Sequence, residues 1–238
     1  MGAGMQHAIL FTTATAAAPD GTLTNQSPCG TFPSGQSSKW LYATYHADED
    51  LVFPTSDGAG LPLGTSVAAG QPAFLQMYVI NTTAQPLNPS ITIEAEALDA
   101  SQPYTATAAY MTVNTNISIP SDGQDHTAQN TCPVPSAVKF WWLSTRTHHF
   151  ATQAKASDGA TDLVTTEFFD DPSVARFVPP AFHAFTSGLT ATCHYQNTSG
   201  ATVTFGDSES NNELCMTIGY FFPAPTGGEY CVNNVGPF

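Results

Sequence analysis

Cys193-His194-Tyr195-Gln196-Asn197-Thr198-Ser199-Gly200, followed by Ala201-Thr202-Val203-Thr204-Phe205, decides the fold class. Cys193 and Tyr195 share one side of a strand, Asn197–Gly200 supplies turn residues, and a second strand runs through Val203 and Phe205. The same period of two recurs elsewhere. Ile91, Ile93, Ala95 and Ala97 alternate with Thr92, Glu94 and Glu96, which predicts a half-buried strand. Phe74–Ile80, Val138–Phe150 and Leu214–Phe222 read as further apolar strands, set apart by punctuators such as Pro86–Pro89, Ser121-Asp122-Gly123 and Ser157-Asp158-Gly159. No 3.6-residue apolar stripe lasts three turns, so the expected class is all-β, as two tandem jelly-roll-like β-sandwich domains. The polar stretch Pro120–Thr131 is the expected boundary, dividing the chain into 1–125 and 126–238.

The 238 residues hold 5 Lys and Arg against 19 Asp and Glu, a formal charge of −14. Such a surface repels phosphate, so neither nucleic acid nor an anionic membrane is an expected partner. Charged residues make up only 10% of the chain and hydrophobic ones 42%, enough for a sizeable core. No apolar run approaches the length of a membrane-spanning helix. Few lysines, many Thr, Ser, Gly and Pro, and N-x-S/T sequons at Asn25, Asn81, Asn116 and Asn197 suggest an exported protein, secreted or periplasmic, whose leader is absent from this chain.

Seven histidines are present, and Ser144–Phe150 is the stretch where geometry can be argued. On a strand Arg146 and His148 share one face and His149 takes the other, so R-x-H-H is half of a two-nitrogen metal clamp. G-x-S-x-G, P-loop, H-E-x-x-H and C-x-x-C patterns are absent from the sequence. Asp170-Asp171 before Pro172 reads as a turn.

Cys193-His194-Tyr195-Gln196-Asn197, Phe205-Gly206-Asp207-Ser208, Glu213-Leu214-Cys215-Met216 and Tyr220-Phe221-Phe222-Pro223 resemble the C-terminal domain of the copper type II, ascorbate-dependent monooxygenases. These are the peptidylglycine α-hydroxylating and dopamine β-monooxygenase enzymes and their bacterial relatives. Their patterns in this region are C-x-Y, F-G-x-S and E-M-C. Ser144–His148 resembles the family's T-H-x-H strand, and Gln6–Phe11 its H-H-x-x-x-F strand. Gly58–Leu63 and Leu75-Gln76-Met77-Tyr78 resemble its G-x-G-x-P and L-Q-x-H segments. The likeness covers nearly the whole chain, without the strands that precede the family's H-H pair.

The resemblance implies two sandwiches, one holding copper on three histidines and the other on two histidines and a methionine. Carried across residue by residue, it breaks at the ligands. Gln6 and His7 stand for the adjacent histidines, Tyr78 for the third, Arg146 and His148 for H-x-H, and Leu214 for the methionine. Leucine has no lone pair and arginine stays protonated, so one imidazole remains per site. Met216 is a substitute sulfur one pleat from Leu214, and His149 a substitute imidazole only on a bulged strand. A buried Arg146 calls for a partner, either a local carboxylate such as Glu213 or an anionic ligand in the interdomain cleft.

The resemblance also implies disulfides Cys193–Cys215, on strands expected to pair, and Cys132–Cys231, which bracket the second half. Cys29 is left for a free thiol or a dimer bridge. The first expected function is therefore a scaffold without cofactor. In it the cleft, with His7, Tyr78, Arg146 and His148 as candidate groups, takes a small-molecule ligand or performs metal-independent chemistry. The alternatives are a copper-dependent monooxygenase hydroxylating a C–H bond with altered ligands, and a non-catalytic structural or surface module.

Overall fold

The computed structural model describes residues 5–14, 19–22, 39–46, 48–224 and 228–236. Cys29 and the Asn25 sequon lie outside the described residues. In chain order the strands are β1 (Met5–Thr12), β2 (Lys39–Thr44), β3 (Leu63–Gly64), β4 (Ala73–Val79), β5 (Thr105–Ala106), β6 (Ala108–Val113), β7 (Ser118–Ile119), β8 (Asp125–Cys132) and β9 (Lys139–Arg146). There follow β10 (Ala151–Asp158), β11 (Thr161–Thr166), β12 (Val174–Arg176), β13 (Leu189–Gln196), β14 (Val203–Phe205), β15 (Asn212–Glu213), β16 (Met216–Phe222) and β17 (Glu229–Val232). The described residues hold no helix, so the chain is all-β.

A five-stranded sheet, β12-β9-β16-β6-β17, forms the central layer. One face packs on the four-stranded sheet β11-β10-β13-β8 through Tyr110, Phe140, Leu143 and Phe221 against Ala156, Val164 and Leu189. The other packs on the three-stranded sheet β2-β1-β4 through Trp141, Met216, Ile218 and Tyr220 against Ile9, Phe11 and Trp40. Burial on both faces explains why β16 is apolar without alternation, every residue of it buried. The register of β16 on β9 slips between Tyr220 and Phe221, which leaves Trp141 as the extra residue of a bulge. Trp141 and Trp142, consecutive in sequence, both pack against Tyr220 in consequence.

The expected strands at Phe74–Ile80, Val138–Phe150 and Leu214–Phe222 are present as β4, β9 and β16. Two segments differ from expectation. Ile91–Ala97 is in no strand: alternation makes an amphipathic ribbon, but a strand also needs a neighbouring edge, and this segment has no ladder partner among the described residues. Pro120–Thr131, read as a linker, holds most of β8. That strand sits at a sheet edge with one face in solvent, so it reads as polar. Its outward Gln129 and Thr131 bond across to Thr192 (2.8 Å) and Thr190 (2.9 Å), while Ala128, Asn130 and Cys132 are buried. The sheets also cross position 125: β6 joins β9, β16 and β17, and β7 joins β14.

Both expected disulfides form, Cys132–Cys231 and Cys193–Cys215. The strands carrying the second do not pair, however. Cys193 lies on β13 of the four-stranded sheet and Cys215 immediately before β16 of the five-stranded one, so both bridges staple one sheet to the other. They fit an oxidising, extracellular environment. No helix among the described residues is long and apolar enough to cross a membrane. Asn81 and Asn116 are exposed, but the Asn197 side chain is buried and donates to the carbonyls of Ile119 and Ala201, 2.8 Å each, so that sequon is closed to glycosylation.

Candidate functional site

Along β1 the residues His7, Ile9 and Phe11 point to the central sheet, as the two-residue repeat requires. Ile9 and Phe11 enter the core. His7, nearer the strand's start, meets the end of β9, where Arg146 Nη2 donates to His7 Nε2 at 3.1 Å. On the other flank Tyr78 of β4 pairs with His7, and the two rings stack at 5.4 Å and 8°. β9 ends at Arg146, and His148 follows it in the connection to β10 with its Nδ1 3.0 Å from the Asn212 carbonyl.

His7, Tyr78, Arg146 and His148 all line one cavity, together with Leu214. Groups that the sequence reading distributed over two sites thus share a wall. Gln6 lies in a bulge between Met5 and His7 and is not among the lining residues. Met216 packs in the core and also stays out of the lining. His149 is exposed and donates to the Glu209 carbonyl. The cavity adds Gln76, Met77, Asp207 and Glu209, none of which sequence reasoning singled out. Met77 stands inside the quoted Leu75–Tyr78 segment, one residue before the position inspected for a ligand. Glu209 comes from the turn after β14, where no pattern marks it.

Glu213 does not pair with Arg146. Its carboxylate accepts the backbone N–H groups of His148 (2.9 Å), Phe150 (2.7 Å) and Leu214 (3.1 Å), pinning the two cavity-lining segments around 148 and 214 together. Burial pushes this carboxyl up to about 7, against the opposing pull of those N–H bonds. His7 falls to about 2, through burial first and then the charges of Arg146 and His148. His148 falls to about 4, through burial and then Arg146, with the Asn212 bond opposing. Burial raises the Glu209 carboxyl while Arg146 and Tyr78 hold it back, and burial raises the phenols of Tyr78 and Tyr45.

These partners settle the tautomers. A guanidinium only donates, so His7 Nε2 accepts and its proton sits on Nδ1, 3.9 Å from the Glu209 carboxylate. A carbonyl only accepts, so His148 carries its proton on Nδ1 and keeps its lone pair on Nε2. One imidazole lone pair is therefore already engaged, and a fixed positive charge stands beside it. That donor set does not fit a copper ion held by two imidazoles. Among the described residues no group of three or more His, Cys, Asp or Glu side chains is placed to hold a metal ion. The arrangement can instead receive an anion at the guanidinium and accept a proton at His148 Nε2.

No protein-family model matches the chain, and no curated protein matches it.

Proposed function

We propose that the chain is a metal-free relative of the copper type II, ascorbate-dependent monooxygenases, exported to an oxidising compartment, whose Arg146 cavity binds a small carboxylate. The observation that carries this reading is the buried guanidinium. Arg146 is only 7% exposed, its side-chain hydrogen bond goes to a neutral imidazole, Glu213 is engaged elsewhere, and the nearby Glu209 carboxyl is itself raised by burial toward its neutral form. A buried charge held this way is costly, and an anionic ligand offsets that cost. His148, with its lone pair on Nε2, is the group placed for metal-independent acid–base chemistry on a bound ligand.

Arg146→Met tests the reading, with acetate as the probe and calorimetry as the readout. The wild type binds acetate saturably and the variant at least about tenfold more weakly, with a melting temperature unchanged or higher. Unchanged binding with a fallen melting temperature would make the charge structural. No acetate binding by the wild type would favour a module whose cavity takes no carboxylate.

One observation favours the copper reading: Met77, a residue that carries a soft thioether, is among those lining the cavity that holds both imidazoles. Copper content decides between them. Protein loaded with copper and dialysed is expected to retain well under one equivalent, whereas stoichiometric copper with imidazole hyperfine coupling would overturn the metal-free reading.

A further inference from the structure

Behind Tyr45 lies a second and larger cavity. Tyr45 lines this second cavity, and its ring is 5.6 Å from that of His7, which lines the first. The lining there is richer in aromatic rings than the first. Trp40 and Tyr42 from β2, Trp142 from β9 and Tyr220 from β16 complete an aromatic lining, and Glu49 and Asp50 add carboxylates.

This lining is built. Trp142 stands edge-on to Tyr220 at 5.5 Å and 71°, and Trp141 stacks on the same tyrosine at 5.2 Å. The bulge at Trp141 makes this possible by letting consecutive tryptophans reach one ring. The Tyr42 hydroxyl donates to the Glu49 carbonyl at 2.5 Å, and Glu49 Oε2 accepts the Tyr45 N–H at 3.0 Å, so the acid is tied to the aromatic wall at both ends. The Trp40 indole on the same wall hydrogen-bonds the Tyr220 hydroxyl, which itself donates to the Leu41 carbonyl at 3.0 Å. Trp40 itself is 3% exposed.

Aromatic faces present negative potential, which attracts a cation within about 6 Å and does so best for one that sheds water easily. A small hydrated metal ion gains little from rings, whereas methylated nitrogen gains both the electrostatic and the apolar contact. A net charge of −14 adds a favourable field. The opposing cation is Arg146, across Tyr45, whose guanidinium donates to His7 on the far side of that wall. We infer that this cavity binds a methylated ammonium compound, of the choline type. The inference is independent of carboxylate binding at Arg146.

The full chain is titrated with choline and with its uncharged carbon isostere, 3,3-dimethylbutan-1-ol, following tryptophan fluorescence and heat. Choline is expected to bind saturably and at least about tenfold more tightly than the isostere. Trp142→Ala should weaken choline by about tenfold or more, and Glu49→Gln, which keeps an acceptor for Tyr45 N–H, should weaken it severalfold. Melting curves confirm that each variant is folded, and Arg146→Met should leave choline binding intact or strengthen it. Equal affinity for the isostere, no saturation by about 10 mM choline, or wild-type affinity in a folded Trp142→Ala protein would each overturn the inference.

Discussion

The two faces of the central sheet are closed in different ways. Toward the four-stranded sheet the contact is apolar and doubly cross-linked, by Cys132–Cys231 and Cys193–Cys215. Toward the three-stranded sheet, among the described residues, no disulfide crosses. The core there gives way at its rim to His7, Arg146 and His148, buried polar groups around a cavity, and to the aromatic cavity beside them. The lesson is a division of labour within one sheet. The stapled face carries stability, and the unstapled face can therefore hold a buried guanidinium and two deprotonated imidazoles, groups that cost stability in a core.

The largest test of that contrast is the staples. In the loop-closure picture, a bridge separating 99 residues restricts the unfolded chain more than one separating 22, contributing about 4.7 against about 3.4 kcal/mol. The double variant Cys132→Ala/Cys231→Ala should therefore lose more in denaturant melts than Cys193→Ala/Cys215→Ala. The reverse order would show that local packing, and not loop length, closes the stapled face.

A smaller effect separates the faces by pH. The Glu213 carboxyl is held at about 7 in the folded chain against an ordinary value of 4.5. The folded state therefore keeps a proton that the unfolded chain releases, and stability falls as pH rises from about 4.5 to about 7. The total is on the order of 3 kcal/mol for this fully buried group. His7 and His148 act with the opposite sign: lowered to about 2 and about 4, they cost stability as pH falls below 6.5. The wild type should thus lose stability relative to Glu213→Gln as pH rises across 4.5–7, and chemical melts at several pH values read this directly. A difference that is flat with pH would mean that the carboxyl titrates normally.

The smallest expected effect lies on the N-terminal side. Val52 is 65% exposed, so Val52→Ser should change stability by no more than about 0.5 kcal/mol. A loss well above 1 kcal/mol would mean that this side is covered in solution.

Much of the fold was legible because strand signals are local. Alternation and turn residues marked Cys193–Phe205, and unbroken apolar runs marked β9 and β16. Both errors came from what locality omits. Ile91–Ala97 has the pattern of a strand but no edge to join, and β8 has an edge but a polar sequence, because half of it faces water. The candidate residues His7, Tyr78, Arg146 and His148 could be picked out by their order along the chain, through the resemblance. Glu209 and Met77 could not, since a turn residue and a strand neighbour enter a cavity only once the layers close.

The amino-acid order alone determined an all-β, acidic, disulfide-bearing chain with arginine, tyrosine and leucine where metal ligands were expected. The first two are properties of composition and of spacing within one strand, while the disulfides and the ligand positions were expectations that the resemblance supplied. Tertiary structure decided that β1, β4 and β9 bring the candidates to one cavity, that Glu213 serves backbone N–H groups instead of Arg146, and that a bulge turns Trp142 into the wall of a second cavity. Each depends on which layer a strand lands beside, and contacts between residues as far apart as His7 and Arg146 are set by packing of whole sheets, which no local stretch encodes.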